Sequence, residues 1–547
     1  MRGGAGDGDA PWWKSGVIYQ IYPLSFADSN GDGFGDLAGI ADRIDYLHWL
    51  GVDAIWLSPV TVSPNADWGY DVADYRAVQP EMGTLAAFDA LVAAAHERGI
   101  RVVLDFVPNH TSEQHEWFVD ARSSTGARHR DWYVWADAAV DGSPPNNWVS
   151  SFGGPAWTWD ETTGQYYMHN HLREQPDLNW WNEEVRAEFD DIVRFWFDRG
   201  VDGFRIDVCN IIIKDAELRD NPPATPDDPL DEQLFGQRAV YNANRPELHD
   251  VLRRWRRIAD SYDPPRLLLG ETPVDDPATL GAFYGADLDE LQLAFNFPFI
   301  NAPLDAAEMR AVVERTQDML PSGAWPAWTG SNHDISRFAT RWAQDDPIKA
   351  RAALLMLLGL RGTPVLYQGD EIGLRDVAVE PPDLRDPLGV KYWPAYAGRD
   401  AMRTPMPWTD APGGGFTEPG ITPWLPLGAT DRNIARQADD PESMLTLTRD
   451  LIALRRQIPD LALGAYTALA APEGAWAWRR GAGHAVVVNY SDTSAVLDGL
   501  DGRILIGTDR TRDGESIAGG LRIGPWEGLV VEIRDGLPSG RAGPDAT

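Results

Sequence analysis

Eight short apolar runs rich in β-branched residues recur along this chain, at 16–23, 54–59, 101–109, 201–208, 266–271, 288–297, 325–332 and 363–371. Between them lie stretches of helical periodicity such as 37–50, 85–98, 183–199 and 347–360. Runs of that length bounded by turn residues read as buried strands, and the intervening pattern reads as amphipathic helix. Strand, helix and strand in alternation bring successive strands round in the same direction, so eight units predict an α/β fold, the (β/α)₈ TIM barrel. The barrel is expected over 11–110 and 180–460. The stretch 111–179, between the third strand and its helix, is too long for an ordinary connection and predicts an inserted domain. Acidic, Pro-rich 215–232 and the segment 376–429 are further excursions. After a helix near 443–457 the period changes to two at 475–479, 485–490 and 529–533, which predicts a C-terminal antiparallel β-sandwich over 461–539. Residues 540–547 read as a disordered tail.

The charge balance narrows the function. A formal net charge of −35 repels phosphate backbones and anionic headgroups, so neither nucleic acid nor a membrane surface is an expected partner. The lone cysteine, Cys209, has no internal disulfide partner, and the Gly- and Asp-rich residues 1–13 lack the apolar stretch of a secretion signal. A soluble cytoplasmic protein follows as the expectation.

In barrel enzymes the reacting groups come from the carboxyl ends of the strands. Those ends carry Tyr70 and Asp71 after strand two, Asn109 and His110 after strand three, Arg205 and Asp207 on strand four, Glu271 on strand five, and Asn332, His333 and Asp334 on strand seven. Each carboxylate alone could cap the next helix, and a lone histidine could be a satisfied core residue. Barrel stability requires no such convergence on one face, so the set is read as a catalytic constellation.

These residues sit in motifs that resemble the α-amylase superfamily of glycoside hydrolases, on its α-glucosidase and oligo-1,6-glucosidase branch. The resemblance rests on Asp105-Phe-Val-Pro-Asn-His110, Gly203-Phe-Arg-Ile-Asp-Val-Cys-Asn210, Leu269-Gly-Glu-Thr272 and Ser331-Asn-His-Asp334, in that order, with Gln175-Pro-Asp-Leu-Asn179 and Arg403-Thr-Pro-Met-Pro-Trp408 in support. It implies an exo-acting retaining α-glucosidase that removes glucose from short malto- or isomalto-oligosaccharides, with transglucosylation. Asp207 would be the nucleophile, kept ionised by Arg205. Glu271, in a less charged setting, would be the general acid/base, and Asp334 would grip the ring hydroxyls most tightly in the transition state. His110 and His333 would donate to other hydroxyls, Tyr70 would stack under the sugar, and Asp71 paired with Arg403 would close the pocket at the terminal 4-hydroxyl. Phe152 is read equally as a side wall of that pocket or as core of the inserted domain. Val208, after the nucleophile, would face the acceptor sugar and, with 175–179, resembles the branch that accepts α-1,6 bonds.

Other readings are a sucrose or trehalose isomerase or another glucosyl transferase, and a non-catalytic sugar-binding or transporter-associated homologue. The last lacks catalytic carboxylates and carries a membrane helix, whereas this chain keeps the carboxylates. None of the four lysines, Lys14, Lys214, Lys349 and Lys391, is placed in the site. A separate run, Asp28-Ser-Asn-Gly-Asp-Gly-Phe-Gly-Asp36, sets oxygen donors at alternate positions as calcium loops do. It predicts a structural Ca²⁺, or Mg²⁺, on Asp28, Asn30, Asp32, Asp36 and the carbonyl of Phe34; an Asx-rich turn is the plainer alternative.

Overall fold

A computed structural model describes residues 10–534; the terminal tail read at 540–547 lies outside them. All eight expected strands form, each shorter than its apolar run: β1 Ile18–Ile21, β2 Ala54–Leu57, β3 Arg101–Phe106, β4 Gly203–Ile206, β5 Leu267–Gly270, β6 Leu293–Ala294, β7 Ala327–Thr329 and β8 Thr363–Tyr367. Neighbours pair in parallel in the order β6-β5-β4-β3-β2-β1-β8-β7, and a parallel bridge from Phe295 to Ala327 joins the two ends. The sheet is thereby closed into a barrel.

Alternate residues of a strand face opposite sides, and here the parity sorts core from chemistry. Ile18, Ala54, Trp56, Val103, Leu267, Leu269, Leu293 and Val365 form one buried cluster that fills the barrel. Their out-of-phase neighbours Tyr19, Ile55, Val102, Leu104 and Leu268 join the larger core shared with the surrounding helices. Two residues beyond Val103 is Asp105, two beyond Gly203 is Arg205, and two beyond Leu269 is Glu271. The inward register therefore lifts charged side chains onto the apolar plug at the carboxyl end.

The helices begin at the caps their sequences supply. Thr84, Asn182 and Asp346 accept from backbone N–H groups in the first turns of Leu85–Glu97, Glu183–Asp198 and Pro347–Gly359, each cap contributing about 1 kcal/mol. The helix expected over 37–50 is instead two, Leu37–Asp42 and Ile44–Leu50, separated at Arg43 (φ −102°, ψ 5°).

Within 111–179 the strands Trp135–Ala136, Gln165–Met168 and Trp157–Asp160 form a three-stranded antiparallel sheet. At the C-terminal end, six strands from Tyr466–Leu469 to Gly528–Ile533 make an antiparallel sheet, and Ala495–Asp498 pairs with Gly520–Ile523 beside it. Period-two patterning again assigns the faces. Trp476, Trp478, Val486 and Val488 pack into the main core, whereas Ala477, Ala485, Val487 and Val531 face a separate core with Leu497, Leu521 and Ile523. No helix among the described residues is long and apolar enough to cross a membrane.

Candidate active site

At the carboxyl end of the barrel one guanidinium organises three carboxylates. Arg205 Nη1 donates to Asp207 Oδ1 at 2.7 Å and to Asp105 Oδ1 at 3.0 Å, while Nη2 meets Glu271 Oε1 at 2.8 Å. The strands fix all four partners: Asp207 N donates to the Phe106 carbonyl and Glu271 N to that of Ile206, at 2.8 and 2.9 Å. All four residues are buried. Burial pushes the Asp207 carboxyl well up; Arg205 opposes that rise, and the neighbouring Glu271 and Asp105 charges add to it. Asp105 is likewise raised by burial, against Arg205, to about 6. Arg205, expected to keep Asp207 ionised, does contact it, but the one cation is shared among three carboxylates in a site shielded from water. Glu271, expected in a less charged setting, shares the same guanidinium, and its Oε2 accepts from Val208 N at 2.8 Å.

A second cationic group meets Asp334, whose side chain is 28% exposed. Arg403 Nη2 donates to its Oδ1 at 2.6 Å and Arg399 Nη1 at 3.2 Å. Burial opposes the charge of Asp334, but His333, Arg399 and Arg403 outweigh it and hold the carboxyl below the ordinary range. Burial pushes His333 well below the ordinary imidazole range. His333 Nε2 faces Asp334 Oδ2 at 3.2 Å, which can only accept, so Nε2 carries the proton, toward Asp334 and Tyr70 Oη (2.6 Å), and Nδ1, 2.8 Å from Gln20 Nε2, accepts. Tyr70 stacks on the His333 ring at 5.3 Å and 3° and donates to Asp105 at 3.1 Å. It thus braces the floor of the site.

The expected pairing of Asp71 with Arg403 does not occur. Asp71 is fully buried and caps its own turn, accepting from Ser63 Oγ, Ala66 N and Asp67 N; burial raises it to about 6. Arg403 turns instead to Asp334 and the His333 carbonyl. The ion pair at this end joins Asp67, four residues earlier, to Arg399, four residues earlier: Nη2 to Oδ1 is 2.7 Å, with Asp386 gripping the same guanidinium. The resemblance pointed to Asp71 and Arg403; Asp67 and Arg399 lie four residues earlier, in the same turn and at the start of the same short helix. Phe152 packs at this end, with the Arg399 guanidinium 5.4 Å over its ring and His171 edge-on at 5.7 Å.

His110 is buried with Nε2 3.0 Å from the Tyr70 carbonyl and Nδ1 3.0 Å from Asn109 Nδ2. Lys214, placed outside the site from sequence, is buried directly behind this pair and bonded to Asn109 and Asp177. Asp67, Asp105, Arg399, Gln20 and Lys214 are therefore the site groups that strand-end reasoning missed. Beside Val208 opens a cavity of about 340 Å³ whose lining includes Asn210, Gln237, Asn242 and Pro273.

The Asp28–Asp36 loop has spent its expected donors on itself. Asp28 accepts from Asn30 N, Gly31 N, Gly33 N and Thr417 Oγ1, and Asp36 accepts from Ser29 and caps the following helix at Gly39 N. Asn30 and Asp32 accept from Asp32 N and Phe34 N. A cation at this loop would have to share or displace these backbone and hydroxyl donors.

Comparison with known proteins agrees with this architecture. Residues 20–464 match the family model of the α-amylase catalytic domain. A probable α-glucosidase of Rhizobium meliloti (strain 1021) is 44% identical over 471 residues, covering 83% of this chain and 84% of its own. An oligo-1,6-glucosidase of Heyndrickxia coagulans is 40% identical over 500 residues, covering 84% and 87%. The crystal structure of an α-glucosyl transfer enzyme superposes with a TM-score of 0.89 at 43% identity, over 96% of this chain and all of the other. With the barrel, the strand-end carboxylates and these matches in agreement, this chain belongs to the α-amylase family of glycoside hydrolases.

Proposed function

We propose that the protein is an exo-acting retaining α-glucosidase of short malto- and isomalto-oligosaccharides that also transfers glucose to sugar acceptors. The observation that carries this reading is the single guanidinium of Arg205, which holds Asp207 and Glu271 at once. Two carboxylates sharing one guanidinium support the close pairing, about 5–5.5 Å, that retention uses, over the about 6.5–9.5 Å of an inverting site.

In this reading Asp207 attacks the anomeric carbon, the glycosidic C–O bond breaks, and the leaving oxygen takes its proton from Glu271. Water, or a second sugar, then gives a proton back to Glu271 as it displaces Asp207. Each Glu271 oxygen accepts one bond in the free protein, from Arg205 and from Val208 N, and keeps a second site at which the proton can be carried. Asp334, locked between Arg399 and Arg403, would bind hydroxyls of the distorted ring. The Asp67–Arg399 pair supports a dead-end pocket that admits only a terminal glucose. Transfer is favoured by the amide-rich cavity beside Val208 and by the likeness to an α-glucosyl transfer enzyme.

The relatives' names, α-glucosidase and oligo-1,6-glucosidase, support both linkages. For the Asp28–Asp36 loop we propose a structural Ca²⁺ on the chemistry of its donors, hard oxygens at alternate positions; to take it, Asp28 and Asp36 would have to exchange backbone donors for the ion. A cytoplasmic location is proposed on the lone, buried Cys209.

The test is NMR of the first product from maltose and isomaltose. Release of α-glucose from the chain end is expected; β-glucose as first product would overturn retention, and internal cleavage of a longer oligosaccharide would overturn the exo reading.

A further inference from the structure

Lys214 is 3% exposed and stands behind His110, in the segment that follows β4. Its ammonium lies 2.7 Å from Asp177 Oδ2, 2.5 Å from Asn109 Oδ1 and 3.3 Å from the Ile212 carbonyl. A lysine ammonium has three N–H donors and no acceptor, so three acceptors satisfy it and no donor can face it. That settles an ambiguity in Asn109, whose side-chain O and N could otherwise exchange places. With Oδ1 committed to Lys214, Nδ2 must point the other way, where it lies 3.0 Å from His110 Nδ1. An amide N–H₂ can only donate, so His110 Nδ1 must accept. The ring proton is then on Nε2, which has the Tyr70 carbonyl 3.0 Å away to receive it.

The anion beside Lys214 is held in place. Asp177 is held by Asn170, whose N and Nδ2 donate to its two oxygens at 2.9 Å each, so the anion that fixes Lys214 is itself fixed. One neighbour opposes this tautomer: Gln175 Nε2 gives one hydrogen to Asp67 Oδ2 at 3.2 Å but stands 3.0 Å from His110 Nε2, an amide donor against the ring proton. His110 is a neutral ring with one defined donor, set by a cation it does not touch.

We propose that Lys214 is a positioning residue: by dictating which way the Asn109 amide faces, it fixes His110 in the tautomer with its proton on Nε2. Without the ammonium the Asn109 amide can rotate by half a turn, present Oδ1 to the ring, and draw the proton to Nδ1. Nε2 would then become an acceptor facing an acceptor, the Tyr70 carbonyl, and the ring would lose the bond that fixes it to the backbone of the turn carrying Tyr70. The consequence for turnover rests on the proposed glucosidase reading; the tautomer does not.

The experiment is ¹⁵N NMR of the His110 ring in the full-length protein, together with steady-state kinetics on maltose. The wild type is expected to show protonated Nε2 and bare Nδ1. Lys214→Met should shift the ring to mixed or Nδ1-protonated signals and lower kcat/KM about 10- to 100-fold, the range for loss of a group that orients a histidine. In Lys214→Ala, added methylammonium should restore both readouts. Should the lysine variants not fold, Asn109→Asp keeps an acceptor for Lys214 but puts a second one against the ring, and should invert the tautomer to Nδ1–H. An unchanged Nε2–H tautomer in the folded lysine variants, or in Asn109→Asp, overturns the proposal. An altered tautomer with no glucosidase activity even in the wild type would instead sink the functional reading and leave this one standing.

Discussion

Val208 donates its backbone N–H to Glu271 Oε2 at 2.8 Å from a left-handed conformation, φ 35° and ψ 45°. A β-branched residue is seldom found there, and such backbone costs on the order of 1–3 kcal/mol. The conformation places the amide that follows Asp207 directly under the second carboxylate. Strand four therefore controls both carboxylates, Asp207 by its own side chain and Glu271 through Arg205 and this N–H. A strained turn at this point fits a site whose geometry outranks local stability.

Glu271→Gln should keep that acceptor, since the amide oxygen can still accept from Val208 N, so the fold is expected to survive with little change in Tm. Activity on maltose should fall by about 10²–10⁴-fold, the ordinary contribution of a general acid. An aryl glucoside whose leaving group departs without a proton should lose far less in the first step. Equal losses on both substrates would mean that Glu271 is not the acid.

The ion pair at the closed end separates two readings of one motif. Asp67→Asn weakens the grip on Arg399 and should raise KM for maltose and isomaltose by roughly 10-fold or more, in line with about 1–3 kcal/mol for a lost charged hydrogen bond. Asp71→Asn should act on the turn, lowering Tm with a smaller change in KM, because Asp71 serves only Ser63, Ala66 and Asp67 N. If Asp71→Asn gave the larger KM effect, the substrate contact would lie with Asp71 after all.

The barrel was legible because period two on the strands and 3.6 on the helices are long-range consequences of burial, repeated eight times. The strand-end residues were legible for the same reason, since parity puts Arg205, Asp207 and Glu271 on one inward face; Asp105 shares that parity on β3 but was not singled out. What sequence could not give is which of two like charges four residues apart turns inward. Asp67 and Asp71 sit in one turn, Arg399 and Arg403 flank one short helix, and the outcome depends on contacts from Asp386, Asp334 and Ser63 that come from distant segments. Lys214 was invisible for a related reason: burial of a lysine is paid for by Asp177 and Asn109, which lie 37 and 105 residues away. The Asp28–Asp36 spacing fits a cation loop and a self-capped turn equally.

Asp370 offers a test of pH-linked stability. It is buried behind the His333 turn, accepts from Tyr367 N and Ser331 Oγ, and faces Arg337 and Glu371. Burial raises it to about 7, above the unfolded value of about 3.9. The folded state then binds the proton more tightly than the unfolded one. This contribution is full below about pH 4 and is lost as pH rises through 7, by on the order of a few kcal/mol. Asp370→Asn removes the titration, so the fall in Tm between pH 5 and pH 8 should be smaller than in the wild type. The same fall in both proteins would show that Asp370 does not titrate in this window.

Chelation addresses the loop at Asp28. If Ca²⁺ is held there, dialysis against a chelator should lower Tm while moderate-temperature activity stays nearly constant, because a ligand that binds only the folded state stabilises it by mass action. Asp32→Ala should reproduce the loss of Tm and abolish the response to added calcium. No change on chelation would leave the loop as the self-capped turn that Asp28 and Asp36 already make with backbone and helix.

Linkage preference is the most local of the expectations, and Val208 is where it can be read. The side chain lines the cavity beside Asn210, Gln237 and Asn242, so it faces the space an acceptor sugar would fill. Two methyls there offer bulk and no hydrogen bond, which favours the flexible exocyclic arm of an α-1,6 link over the stiffer α-1,4 acceptor. Threonine keeps the β-branch, so the left-handed strain and the N–H to Glu271 should be unchanged; Val208→Thr therefore alters one methyl to a hydroxyl and little else. A change of that size is worth about 1–3 kcal/mol at most, roughly 10–200-fold in preference. The ratio of kcat/KM for maltose over isomaltose is expected to rise in Val208→Thr without loss of total activity. If the ratio does not move, preference lies with the amides of the cavity wall, and Asn242→Ala or Gln237→Ala becomes the substitution that should shift it.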